Sequence, residues 1–195
     1  MAGNDVEHTA GRKRRLWVRG VWVAVLGLLL CGCTAKNVTL NVDVASFLDA
    51  DDRSGHYRTP ANSPAVDHDL EPMELRIDGY DQLSAATEVT LDMEVVCDNV
   101  SGRGQGRFIV FLADSTAGLF ASTPVAVIEA PMAPLTQSTG SMTVQGDARV
   151  LELFRRRHMW IGVRLHWEPL DATALEGDYT ITRLHAQVLT SVDLL

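Results

Sequence analysis

A chain of 195 residues, 46% hydrophobic, with 17 Lys and Arg against 25 Asp and Glu, carries a formal charge of −8. Five of its basic residues (Arg12, Lys13, Arg14, Arg15, Arg19) stand in the first 32 positions beside only Asp5 and Glu7, leaving 12 basic and 23 acidic residues from Cys33 onward. Such an acidic segment is repelled by phosphate backbones and has no Lys/Arg stripe with interleaved aromatics, which excludes nucleic acid as a partner. Its length suits one domain with one core.

The N-terminal segment reads as an export signal. Arg12-Lys13-Arg14-Arg15 precedes the apolar run Leu16–Leu30, which is interrupted by Arg19 and closes on Leu30-Cys31-Gly32-Cys33. This ending resembles the lipobox of bacterial lipoproteins, with Leu30 at the aliphatic position, Gly32 before the cut and Cys33 as the acceptor. The resemblance implies that the Cys33 thiol receives diacylglycerol and that residues 1–32 are removed; in that family the new amino terminus is often acylated too. Two or three acyl chains hold a protein on a bilayer stably where one does so only marginally. The expected location is the cell envelope, facing the periplasm. Thr34 stands where inner-membrane retention favours Asp, so in a cell with two membranes the outer one is expected. The alternative is an uncleaved transmembrane anchor. Gly20–Ala35 offers 16 uncharged residues, short of the roughly 20 that span a bilayer, although Arg19 could snorkel to lengthen it. Of the three cysteines, Cys31 leaves with the signal and Cys33 is consumed by lipid. Cys97 then has no disulfide partner, and its strand parity makes it a small buried hydrophobe.

Residues 33–37 form a short lipidated linker, and the domain occupies 38–195. Val38, Leu40, Val42 and Val44 alternate with polar residues as in a half-buried strand. The stretch 49–72, with Pro60, Pro64 and Pro72 and no apolar periodicity, reads as a long polar loop and the first candidate for partner contact. Strands follow at Met73–Asp78, Glu88–Asp98, Phe108–Leu112, Val125–Ile128 and Met142–Val144. Asp147 predicts an N-cap for a short helix to Arg156, with Val150, Leu151 and Phe154 at helical spacing. Met159–Trp167 and Tyr179–Val192 complete the set, the last strand being the longest and bulged near Thr182-Arg183. The predicted class is all-β: a two-sheet antiparallel β-sandwich of about seven or eight strands with one short inserted helix, behind the hydrophobic signal or anchor helix. It is loosely similar to immunoglobulin-like sandwiches in architecture, without their Cys…Trp…Cys signature.

Local motifs for chemistry are weak. Asp49, Asp51 and Asp52 suggest a calcium loop, but Arg53, Gly55 and Pro60 occupy the wrong positions for one. The histidines His56, His68, His158, His166 and His185 lack zinc-site spacing. His166 and His185, with Arg164 and Arg183, would form a polar patch if the last two strands paired. Gly102-x-Gly104-x-Gly106 precedes a strand and not a helix, so it predicts a hairpin turn and not a phosphate cradle. Arg155-Arg156-Arg157-His158 is the basic cluster of the acidic domain. It is a candidate surface for anionic head groups or an acidic partner, against the plainer role of a cationic helix end. Trp160 and Trp167 stand beside it as candidate interfacial anchors, although Trp167 shares the core-facing parity.

These readings point to a non-catalytic interaction or structural subunit of an envelope complex, tethered through Cys33, with a protein partner and with no catalytic, metal or cofactor site. A carrier lipoprotein for a small or lipidic ligand is the alternative, and an envelope hydrolase ranks last. An apolar cavity between the sheets would favour the carrier, a solid core the scaffold, and carboxylates converging with His in a cleft the enzyme.

Overall fold

Alternation in sequence becomes alternation in burial. Along β5 (Ala86–Ser101), Val89, Leu91, Met93, Val95 and Cys97 are buried while the residues between them face outward. The computed structural model describes residues 36–48 and 50–192, of which Asn37–Ser191 form one compact unit. Residues 1–32, expected to be a signal or anchor segment, and Cys33 lie outside the described residues.

The remaining strands are β1 (Lys36–Asp43), β2 (Ser54–Thr59), β3 (Val66–Asp69), β4 (Met73–Arg76), β6 (Gly104–Ala113), β7 (Ala126–Met132), β8 (Thr136–Gln145), β9 (His158–Pro169) and β10 (Leu175–Val192). A single helical turn, α1 (Ala50–Arg53), and a longer helix, α2 (Ala148–Arg156), join them. One sheet runs β1-β10-β5-β8, with β2 also on β10; the other runs β3-β9-β6-β7, with β4 also on β9. The ladders β2–β10, β5–β10, β5–β8, β3–β9, β4–β9, β6–β9 and β6–β7 are antiparallel. Among the described residues the chain is thus an antiparallel β-sandwich. Ten strands fill eight positions, because β1 with β2, and β3 with β4, each share one edge.

The order of those positions is 1-8-3-6 in one sheet and 2-7-4-5 in the other, the double Greek key of a jelly roll. The likeness to immunoglobulin sandwiches therefore ends at two packed sheets. Three further expectations are corrected by this topology. First, 49–72 is not one loop: it contains α1, β2 and β3. All four residues of β3 are exposed, so backbone pairing with β9 holds this strand in place of burial, and no apolar pattern announces it. Second, Gly102-Arg103 is not a hairpin turn, since β5 and β6 belong to opposite sheets. The link crosses the sandwich, with Gly102 at φ 71° and a Cβ there falling 2.5 Å from the Ala174 carbonyl oxygen. Third, β9 and β10 do not pair, so His166 and His185 lie on opposite outer faces.

Other expectations hold. The β5–β10 register shifts between Ile181 and Arg183, placing the bulge at Thr182. Asp147 caps α2 by accepting the Val150 N–H at 2.9 Å. Trp167 is a core residue: it stacks on Tyr57 at 4.3 Å between ring centroids and meets the Phe108 ring edge-on at 5.5 Å. Among the described residues the interior is packed with buried apolar side chains. Two spaces between the sheets, one beside Phe154 and Met159 and one beside Phe108 and Ile181, are about 10 Å³ each, no more than a single water needs.

Candidate contact surface

The amphipathic α2 buries Val150, Leu153 and Phe154 and carries the three arginines at its end. Each is already engaged. Arg155 donates through Nε and Nη2 to the Ala86 carbonyl oxygen at 2.9 and 2.7 Å, and Arg156 pairs with Glu152 at 3.2 Å. Arg157 ends the helix in the left-handed region at φ 59°, its N–H donating to the Phe154 carbonyl, and its guanidinium pairs with Asp81. Three arginines against Glu152 and Asp81 leave one surplus positive charge. The side chains are a helix terminator and a clamp on β5 as well as a surface.

Beside them lies a cleft of about 380 Å³ between α2 and the segment after β6, lined by Asp114, Ser122, Arg149, Glu152, Leu153 and Arg156 among others. Arg149 spans it, donating to the Leu112 and Thr123 carbonyl oxygens at 2.9 and 3.0 Å. Ser122 Oγ donates to the Leu119 carbonyl oxygen at 2.7 Å, so this hydroxyl closes a turn. No local pattern announces Arg149 or Ser122, because the cleft brings residues of α2 against Asp114 and Ser122, 27 to 42 positions earlier in the chain.

The outer faces are laced by ion pairs. On the β3–β9–β6–β7 sheet, Asp67, His166, Arg107 and Glu129 stand in one row across four strands. His166 Nδ1 lies 2.6 Å from Asp67. One row away Arg164 holds Asp69 through two bonds, at 2.6 and 2.9 Å, with the Phe111 and Phe120 rings 5.6 and 5.4 Å from its guanidinium carbon. Hydrogen bonding to Arg164 keeps the Asp69 carboxyl below its ordinary range. On the other sheet Arg183 pairs with Asp92 at 3.0 Å and with Glu94, and His185 lies 3.4 Å from Asp43. Hydrogen bonds from Thr182 and Arg183 lower the Glu94 pKa. Arg164, His166, Arg183 and His185 therefore form two separate patches, each neutralised on its own sheet. Asp51 and Asp52 sit on α1, and Trp160 is half-buried on β9. Among the described residues no group of three or more His, Cys, Asp or Glu is placed to hold a metal ion, and no helix is long and apolar enough to cross a membrane.

The two ends of the sandwich differ. Thr190 Oγ1 lies 3.4 Å from the Val38 carbonyl oxygen and His185 lies beside Asp43, so β1 starts along the far end of β10. There Thr190 faces Ala86, the residue that Arg155 clamps. The start of β1 and the arginine-bearing end of α2 thus share one end. At the other end, an open hollow of about 590 Å³ is lined by Arg103, Gly104, Pro131, Met132, Ala133, Thr136 and Leu170, with Leu135 and Leu170 well exposed.

No family model matches the chain, and no curated protein does. Among solved structures, "Structure of infectious bursal disease virus Gx strain" aligns with a TM-score of 0.39 and 10% identity over 82% of this chain. The alignment spans 37% of that viral chain.

Proposed function

We propose that this protein is a lipid-anchored lipoprotein of the bacterial envelope, whose sandwich serves as a non-catalytic interaction or structural subunit of a membrane complex. The observation that carries the reading is Leu30-Cys31-Gly32-Cys33 behind a basic and apolar leader, standing only four residues ahead of Asn37. At about 3.8 Å per residue, a lipidated Cys33 stays within ~15 Å of Asn37. That tether seats the arginine-bearing end on the bilayer, where the surplus charge of Arg155, Arg156 and Arg157 faces anionic head groups. It directs the Pro131/Leu170 end outward to a protein partner in the envelope. The filled interior favours contact over carriage, since a small ligand needs hundreds of cubic ångströms. Carriage of a ligand is the second reading, and it rests on the 380 Å³ cleft beside Arg149.

Metabolic labelling with radioactive palmitate tests the anchor. The wild-type protein takes up label and begins at Cys33, whereas Cys33→Ala stays unlabelled as an unprocessed precursor. Equal labelling of the two would sink the proposal.

A further inference from the structure

We infer that the free edge of β8 is a self-association site, at which a second copy of this chain adds its own β8 antiparallel about a two-fold axis at Ser141. The outermost strands of a sheet present unpaired N–H and C=O groups, and natural proteins guard them with charge or proline. Here β1 carries Asp43, β2 Arg58, β3 Asp67 and Asp69, β4 Glu74 and Arg76, and β7 Glu129 and Pro131. The ten residues of β8, Thr136–Gln145, include no charge and no proline.

Among the described residues no strand pairs with β8 on the side away from β5. Gly146 N–H donates to the Val89 carbonyl at 2.8 Å, continuing the register in which Gln145 faces Thr90 and Ser141 faces Glu94. In an antiparallel ladder the direction of these groups alternates. Ser138, Gly140, Met142 and Val144 therefore turn theirs toward β5, and Gln137, Thr139, Ser141, Thr143 and Gln145 turn theirs to the vacant side. All five of the latter are exposed. The neighbouring β7 reaches β8 from below, through the other sheet: a Cβ on Gly140 would fall 2.6 Å from the Glu129 carbonyl oxygen.

Those five residues read the same in both directions: Gln, Thr, Ser, Thr, Gln. A two-fold axis at Ser141 pairs Ser141 with Ser141, Thr139 with Thr143 and Gln137 with Gln145, each with its like. Every one of these pairs has its backbone groups aimed at the partner, and like hydroxyl and amide pairs are favourable across strands. A two-fold interface requires such self-complementarity. The acids on the adjacent strand do not oppose the approach in full, because Arg183 holds Asp92 and Glu94 and Gln137 donates to Asp98 at 2.7 Å.

The test uses the full chain in detergent, with protein mass read by light scattering corrected for detergent. Wild type is expected at the mass of two copies. Ser141→Pro removes an outward N–H without breaking the β5 ladder, and Ser141→Lys sets two positive charges on the axis; each is expected to halve the mass with an unchanged circular dichroism spectrum. A wild-type mass of one copy, or a dimer untouched by both substitutions, overturns the inference. Should the variants misfold, amide exchange of the wild type decides. Exchange at Thr139, Ser141 and Thr143 that slows as protein concentration rises supports the pairing, and exchange independent of concentration refutes it.

Discussion

The Tyr57 hydroxyl on β2 donates to Asn99 Oδ1 on β5 at 3.1 Å, across β10, which separates their strands in the sheet. Asn99 is buried, and its Nδ2 donates to the Gly102 and Ala133 carbonyl oxygens at 2.8 and 2.9 Å. One amide thus ties an edge strand, the sheet-crossing link and the β7–β8 turn. Asn99→Ala strips the buried Tyr57 hydroxyl and the Gly102 carbonyl of this partner, while the Ala133 carbonyl keeps the Thr136 hydroxyl at 2.7 Å; it is expected to cost about 2–4 kcal/mol, whereas Tyr57→Phe forfeits one bond and costs about 1–2 kcal/mol. Urea unfolding followed by tryptophan fluorescence measures both, and equal losses would contradict the central role given to Asn99.

The cap on α2 is a local device with a local value. Asp147→Ala removes the acceptor of the Val150 N–H and is expected to destabilise by ~1 kcal/mol. Asp147→Ser, which keeps an acceptor, should restore most of that in the same unfolding experiment.

Alkaline pH should loosen the fold through buried groups. Burial pushes the Cys97 thiol up from 9.0 to about 12, and burial likewise raises the hydroxyl pKa values of Tyr57 and Tyr179. Because the unfolded chain ionises first, this contribution to stability is complete below about pH 9 and is lost as pH climbs toward the folded values. A thiol reagent at pH 8 should therefore leave Cys97 untouched in folded protein and modify it in urea. Stoichiometric labelling of the native state would refute the assignment.

On the acid side the sign reverses. Asp69, Glu74 and Glu94 are held below their ordinary 3.8, 4.5 and 4.5 by hydrogen bonds to Arg164, Arg76 and Thr182 respectively, the first-named cause in each case. Their stabilisation is present above these values and disappears as pH falls through the depressed ones. Asp69→Asn should cost about 0.5–1 kcal/mol at neutral pH, as befits a surface pair, and should shrink the stability difference between pH 7 and pH 3. Thermal melts at the two pH values check this.

The parity of apolar residues made most of the sandwich legible: β5, β9 and β10 follow from Val89 to Cys97, Met159 to Trp167 and Tyr179 to Val188, where alternation is strong and long. The helix was legible from Asp147 and the spacing of Val150 and Phe154. β3 was not, because Val66–Asp69 is exposed on every residue and exists only through its pairing with β9. The arginines at 155–157 were visible as a cluster, but their engagement with Ala86, Glu152 and Asp81 was not, since those partners come from other elements or from the preceding helical turn.

What the linear chain decided alone was its alternation, its helix cap, the lone buried Cys97 and the lipobox-like ending at Cys33, all of which depend on neighbours a few positions apart. Which strand lies beside which was decided only in three dimensions. Strand faces are fixed by local period, but partners are chosen by long-range packing, so β5 and β6, two residues apart, finish in different sheets, while Tyr57 meets Trp167 from 110 positions away.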